Sequence, residues 1–260
     1  MDKIIKIIKK NVTSFGITVF SVLLILIIDF LGLFQSLELK ALDFAFGLRG
    51  PISGWTAKHN IHEEESDIVI VDLDDESYRL IPWTYPYPRG EVWAKVINNL
   101  SLAGAKVIVF DLSLDAPDQN SSLLANYSIK LGLTPPVHGD SIFANTIRKT
   151  RKNGTDVILA SKIAHEPTRV PPQYILLPNP LIMGANPITG LTDVIEDTDG
   201  FMRRYYTFLS LAHDPDKLFM TIAMKAVQSY LDLPDNIVPI ANAKEQKIEY
   251  GPLIIPTYGK

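Results

Sequence analysis

Carboxylates in this chain gather where apolar runs end. Asp72-Leu73-Asp74-Asp75-Glu76-Ser77 follows Ile68-Val69-Ile70-Val71, and Asp111-Leu112-Ser113-Leu114-Asp115 follows Val107-Ile108-Val109-Phe110. A third apolar run, Val157-Ile158-Leu159-Ala160, leads into Ser161-Lys162. Convergent carboxylates can bind a divalent cation or exchange protons with a substrate, and a lysine with hydroxyls beside it can hold an anion. If the runs are strands of an open sheet, these residues share the end at which such sheets bind ligands. Between the two acidic groups lies Pro82-Trp83-Thr84-Tyr85-Pro86-Tyr87-Pro88-Arg89, whose rings suit the wall of a small-molecule pocket. The candidate ligand-binding residues are therefore Asp74, Asp75, Glu76, Trp83, Tyr85, Arg89, Asp111 and Asp115. The competing reading is that the aromatic loop only packs over the sheet.

Catalysis has weaker support. Val71-Asp72-Leu73-Asp74-Asp75-Glu76 resembles the opening motif of haloacid-dehalogenase-like phosphotransferases. That resemblance implies Asp72 as nucleophile, Asp74 as acid and base, and Ser113 and Lys162 as phosphate ligands. Glu76 departs from the Thr or Val expected there, and the later acidic pair is mimicked only by Glu196 and Asp197. Phosphate-binding glycine loops, a nucleophile elbow and the His-Glu-x-x-His zinc motif are all missing from the sequence. His59 and His62 beside Glu63-Glu64-Glu65 have metal-ligand chemistry, but a polar linker is the simpler reading. His138, His165 and His213 read as solvated loop residues. No catalytic residue, metal or cofactor is assigned.

The elements that must position these groups follow from periodicity. Residues 68–71, 106–110 and 156–160 read as strands buried on both faces, and residues 91–103 and 140–152 as amphipathic helices capped by Gly104 and Asp140. This β-α-β-α-β order predicts an α/β fold, a mainly parallel sheet flanked by helices as in a Rossmann-like sandwich. Residues 113–139 read as a long loop, 174–177 as an edge strand and 204–211 as another strand. Asp214-Pro215 reads as the start of a helix reaching Leu231, followed by two or three short strands.

Ahead of this domain, residues 12–34 carry one charge, Asp29, and are long enough for a transmembrane helix. Lys3, Lys6, Lys9 and Lys10 place the N-terminus in the cytoplasm and the main domain outside the inner membrane. A cleaved signal peptide competes with this reading. The length of the run and the lack of a small-x-small site after Phe34 disfavour it. The expected organisation is a cytoplasmic N-terminus (1–11), the span (12–34), a helical stalk (35–51) and an extracytoplasmic domain (52–260). Leu37, Ala41, Phe44 and Leu48 form a stripe on the stalk, which either pairs two copies as a homodimer or packs on its own domain. The formal net charge of −4 offers no basic footprint for nucleic acid. With no cysteine, the exported domain relies on its core for stability.

In order along the chain, Asp43-Phe44-Ala45-Phe46-Gly47-Leu48-Arg49-Gly50-Pro51, Ile68 to Ser77, Pro82 to Arg89, Gly104 to Asp111 and Asp199-Gly200-Phe201-Met202-Arg203-Arg204 resemble the type-two CHASE sensory domains. Those are extracytoplasmic modules of bacterial signalling receptors, and the resemblance covers about residues 38–260. It implies a sensor that relays a stimulus to a cytoplasmic output, a class III nucleotide cyclase or else a histidine or serine/threonine kinase. It implies partners in the membrane, in a second copy, and in a small molecule or envelope protein. An anchored adhesion or scaffold domain and the phosphohydrolase remain the alternatives.

Overall fold

The computed structural model of the chain describes residues 2–32, 34–49 and 68–257. The Gly50-Pro51 stop, Trp55 and the His59, His62 and Glu63-Glu64-Glu65 group lie outside the described residues, as do the side chains of Lys3, Lys6, Lys9 and Lys10. The chain divides into two units, residues 1–73 and 74–260.

The first unit holds two helices, α1 (Asp2–Phe30) and α2 (Gln35–Arg49). Val12, Phe15, Ile17, Phe20 and most large side chains onward to Leu31 are exposed on α1. The expected span of 12–34 is not one helix. The chain turns after Phe30, where Gly32 takes φ 72°, a left-handed conformation open to glycine. Among the described residues, no helix is long and apolar enough to cross a membrane. On α2 the expected stripe is exposed: Leu37 at 60%, Phe44 at 67% and Leu48 at 73%. The expected strand at 68–71 is absent. Those residues have no regular secondary structure and are exposed. Four apolar residues in a row specify burial but not a pairing partner, and only a partner makes a strand.

The second unit is built on a four-stranded sheet. Its strands are β1 (Val107–Phe110), β2 (Asp156–His165), β3 (Gln173–Leu176) and β4 (Ile188–Leu191). β2 is central, pairing in parallel with β1 and β4 and antiparallel with β3. Val157, Ile158 and Leu159 are all buried although successive side chains face opposite ways, so both faces of β2 are covered. The covering helices are α4 (Ala94–Leu102), entered through a π-helical turn at Arg89–Trp93, α6 (Gly139–Lys152) and α8 (Ile222–Tyr230). Ile97, Phe143 and Ile147 are fully buried. α8 comes so near β4 that a Cβ on Gly190 would lie 2.5 Å from Ile222 Cα, a spacing only glycine permits.

Three further corrections concern local signals. The expected loop at 113–139 contains α5 (Gln119–Lys130), capped by Asp118, whose carboxylate accepts the Asn120 N–H. α6 is capped by His138 rather than by Asp140. Of the helix expected from Asp214 to Leu231, only α8 (Ile222–Tyr230) is helical and the start is a strand: β5 (Phe208–Leu211) and β6 (Asp214–Met220) form a hairpin closed by Ala212-His213. A register shift beside Leu211 accommodates Pro215, since proline cannot donate to a regular ladder. The chain then runs through β7 (Ile240–Asn242), β8 (Lys247–Tyr250) and β9 (Leu253–Pro256), an antiparallel sheet of its own. The fold is thus mixed α/β. A short parallel core carries antiparallel additions, so the sheets taken together are mostly antiparallel and not the mainly parallel sandwich expected.

Candidate functional site

β1 follows β2 only as far as Leu159, and β3 joins β2 only at Lys162. Where one partner has left and the next begins, a cleft of about 180 Å³ opens around Ala160 and Ser161. Its polar wall comes from Asp111, Ser113 and Asp115 just past β1, from Lys162, and from Thr192 just past β4. Leu114, Leu176, Leu177 and Pro178 supply the apolar wall. This is the carboxyl end of the parallel strands, the place an α/β sheet leaves for ligands.

The charges here are only partly satisfied. The Ser113 hydroxyl donates to Asp115 Oδ1 at 2.5 Å, and Lys162 Nζ reaches Ser113 Oγ at 3.4 Å. That hydroxyl holds the Asp115 carboxyl below the ordinary carboxylate range, with Lys162 and Arg89 adding smaller attractions. Thr192 continues the β4 ladder, its N–H and hydroxyl both donating to the Ser161 carbonyl at 2.9 and 3.2 Å.

A second cluster, sealed from solvent, adjoins the first in sequence. Arg89 Nη1 donates to Asp140 Oδ1 at 2.6 Å and to the Ala116 carbonyl at 2.8 Å. Asp118 accepts the Arg89 N–H at 3.0 Å and the Ser121 hydroxyl at 2.9 Å, while its own N–H donates to Asp140 Oδ2 at 3.0 Å. Arg89, Asp118 and Asp140 are all buried, and each charge meets several partners. Gly139 fits against this cluster because a Cβ there would collide with the Asp118 carboxylate and the Ser121 hydroxyl. Asn179 holds the same loop from the other side. It caps α7 (Pro180–Met183), and its backbone N–H donates to the Leu114 carbonyl at 2.8 Å. Its side-chain amide donates to the Leu114 and Ala116 carbonyls at 3.3 Å. The loop that carries Ser113 and Asp115 is thereby pinned at both ends.

The expected site residues fall into three groups. Asp111 and Asp115 line the cleft. Arg89 belongs to the sealed cluster. Asp74 caps α3 (Asp75–Leu80), its carboxylate accepting the Ser77 N–H at 2.8 Å and hydroxyl at 2.7 Å, which keep its pKa low. Asp75 and Glu76 are exposed in the first turn of α3, where negative charge suits the helix dipole. Trp83 and Tyr85 are exposed, and Tyr85 joins a run of rings through Tyr87, Trp93 and Phe110 to Phe143, with centroids 5.7–6.0 Å apart. Asp74 does not line the cleft that contains Ser113 and Lys162. Among the described residues, no three histidines or carboxylates converge on a metal position. Ser161 and Lys162 stand at the strand end where the sequence places them, whereas sequence reasoning missed Thr192 and the 176–178 wall. Asn179-Pro180, a cap residue followed by proline, was a usable signal for the last of these.

The Asp199 to Arg204 stretch is a clamp. Arg203 meets the Asp199 carboxylate with two bonds of 2.8 and 2.9 Å and Asp197 at 3.1 Å. Arg203 holds the Asp199 carboxyl below its ordinary range. No curated protein and no solved structure is similar enough to be matched to this chain. The CHASE2 domain profile, in contrast, matches residues 19–259. CHASE2 domains are sensory modules typical of signalling receptors, and commonly extracytoplasmic. With nearly its whole length inside that match, the chain belongs to the CHASE2 family.

Proposed function

We propose that the chain is the extracytoplasmic sensor portion of a bacterial transmembrane receptor. In this reading a small molecule occupies the cleft between β1 and β3, and the stimulus passes to a cytoplasmic output domain, foremost a class III nucleotide cyclase. The observation that carries it is family membership over residues 19–259. The exposed apolar surface of α1 supports membrane attachment, because a helix apolar on all sides requires a non-aqueous neighbour. The exposed stripe of Leu37, Phe44 and Leu48 supports pairing of two copies along α2. A ligand need only prefer one arrangement of that pair. Driving a two-state equilibrium across its range takes about 5.5 kcal/mol of differential affinity, and a partial response takes less.

The lack of native cysteine gives a clean topology test. Lys130→Cys, on the exposed end of α5, is expected to react with a membrane-impermeant maleimide in intact spheroplasts, and Lys3→Cys only after lysis. The opposite pattern would overturn the orientation. A chimera joining this chain to a cyclase catalytic domain in the cytoplasm tests the relay, which fails if no external condition changes its cyclic nucleotide output.

A further inference from the structure

The cleft presents both signs of charge to one small space without letting them pair. Among the described residues Asp111 makes no ion pair or side-chain hydrogen bond, and Lys162 has only its 3.4 Å contact to Ser113. Ser161, which also lines the cleft, is 5% exposed, and no side-chain hydrogen bond engages its hydroxyl among the described residues, which leaves that group available to an occupant of the cleft. The volume of about 180 Å³ leaves room for a small organic molecule. A metal ion suits this space poorly, since no ligand group of three converges there among the described residues and Leu114, Leu176, Leu177 and Pro178 form one side of the wall.

The geometry points to a small zwitterion of the α-amino-acid class as the occupant of this cleft. Its ammonium faces Asp111, its carboxylate faces Lys162 and the Ser161 hydroxyl, and its short side chain lies against Leu176 and Pro178. The carboxylates outnumber Lys162 by two to one along the wall, so a simple anion meets net repulsion and a simple amine leaves Lys162 unmatched. This assignment rests on the sensor reading only in taking the cleft as the ligand site; the binding itself stands or falls independently of any relay.

The test is calorimetric titration of the full 260-residue chain in nanodiscs with three probes: L-serine, ethanolamine and inorganic phosphate. L-serine is expected to bind at least tenfold tighter than either of the others. Asp111→Asn and Lys162→Met are each expected to weaken L-serine tenfold or more. Both side chains are exposed, and a thermal melt without probe verifies that each variant is folded. The assignment is overturned if phosphate or ethanolamine binds as tightly as L-serine, if either variant binds L-serine unchanged, or if none of the three binds. L-serine binding without any response from the cyclase chimera would retire the relay and leave the ligand class standing.

Discussion

Two clusters, separated by only a few residues of one loop, use nearly the same side chains for different ends. The sealed cluster has Arg89 with Asp118 and Asp140, and the open one has Lys162 with Asp111 and Asp115. In the first, every charge is buried and meets backbone or side-chain partners from four segments, which locks the π-helical turn, the 116–118 loop, α5 and α6 together. In the second, the charges stay apart around a space. Saturation marks architecture, whereas unspent capacity is what the proposed ligand would use, and the residue types alone do not tell the two apart.

The comparison breaks most easily at Asp140. Asp140→Ala leaves the buried Arg89 guanidinium without its ion-pair partner, and a loss of about 3–5 kcal/mol is expected in urea unfolding. A loss under about 1 kcal/mol would show that the cluster is not sealed in solution. Next in size is Gly139→Ala, which pushes a methyl into the Asp118 carboxylate and the Ser121 hydroxyl. It is expected to cost about 1–3 kcal/mol by the same measurement, as overpacking does elsewhere. Across the divide, Lys162→Met is expected to shift stability by no more than about 0.5 kcal/mol, the usual range for exposed positions. A large loss there would make the open cluster structural as well.

The smallest effect concerns pH. The folded Asp115 carboxyl lies below its unfolded value of about 3.9, chiefly through the Ser113 hydroxyl. Its contribution is therefore complete above that unfolded value and is lost as pH falls through the lower folded one. Ser113→Ala is expected to be slightly less stable than the parent at pH 6, with the gap closing below about pH 4. Because Asp115 is exposed and solvent screens it, the gap is small. A gap that widens in acid would reverse the assignment.

Much of the parallel core was legible because burial there follows local period. The strands at 107–110 and 156–160, the helix ending before Gly104 and the helix at 139–152 all follow from apolar spacing and caps. Asn179-Pro180 and Asp214-Pro215 show where such reading stops. The two pairs look alike, yet the first opens a helix and the second a strand, because Leu211 and Asp214 face each other across a two-residue turn that local propensity does not encode. Residues 68–71 were misread for a related reason, since pairing is a property of two segments. Within the site, Asp111 and Asp115 could be found by the strand-end rule. Thr192 and Pro178 could not, since their convergence depends on β3 joining β2 where β1 has left it. Arg89 was selected for its charge, and only its burial reveals that it is spoken for.

The run of rings also has an optical use. Trp93 lies in van der Waals reach of Phe110, directly before Asp111, and is 9% exposed, whereas Trp83 is 44% exposed. In a Trp55→Phe variant, iodide should quench Trp83 and spare Trp93. The emission that survives then belongs largely to the indole packed on Phe110, the neighbour of Asp111 in the cleft wall. A built-in fluorophore thus sits one side chain behind the cleft wall, and occupancy of the proposed site can be followed by fluorimetry with no label attached.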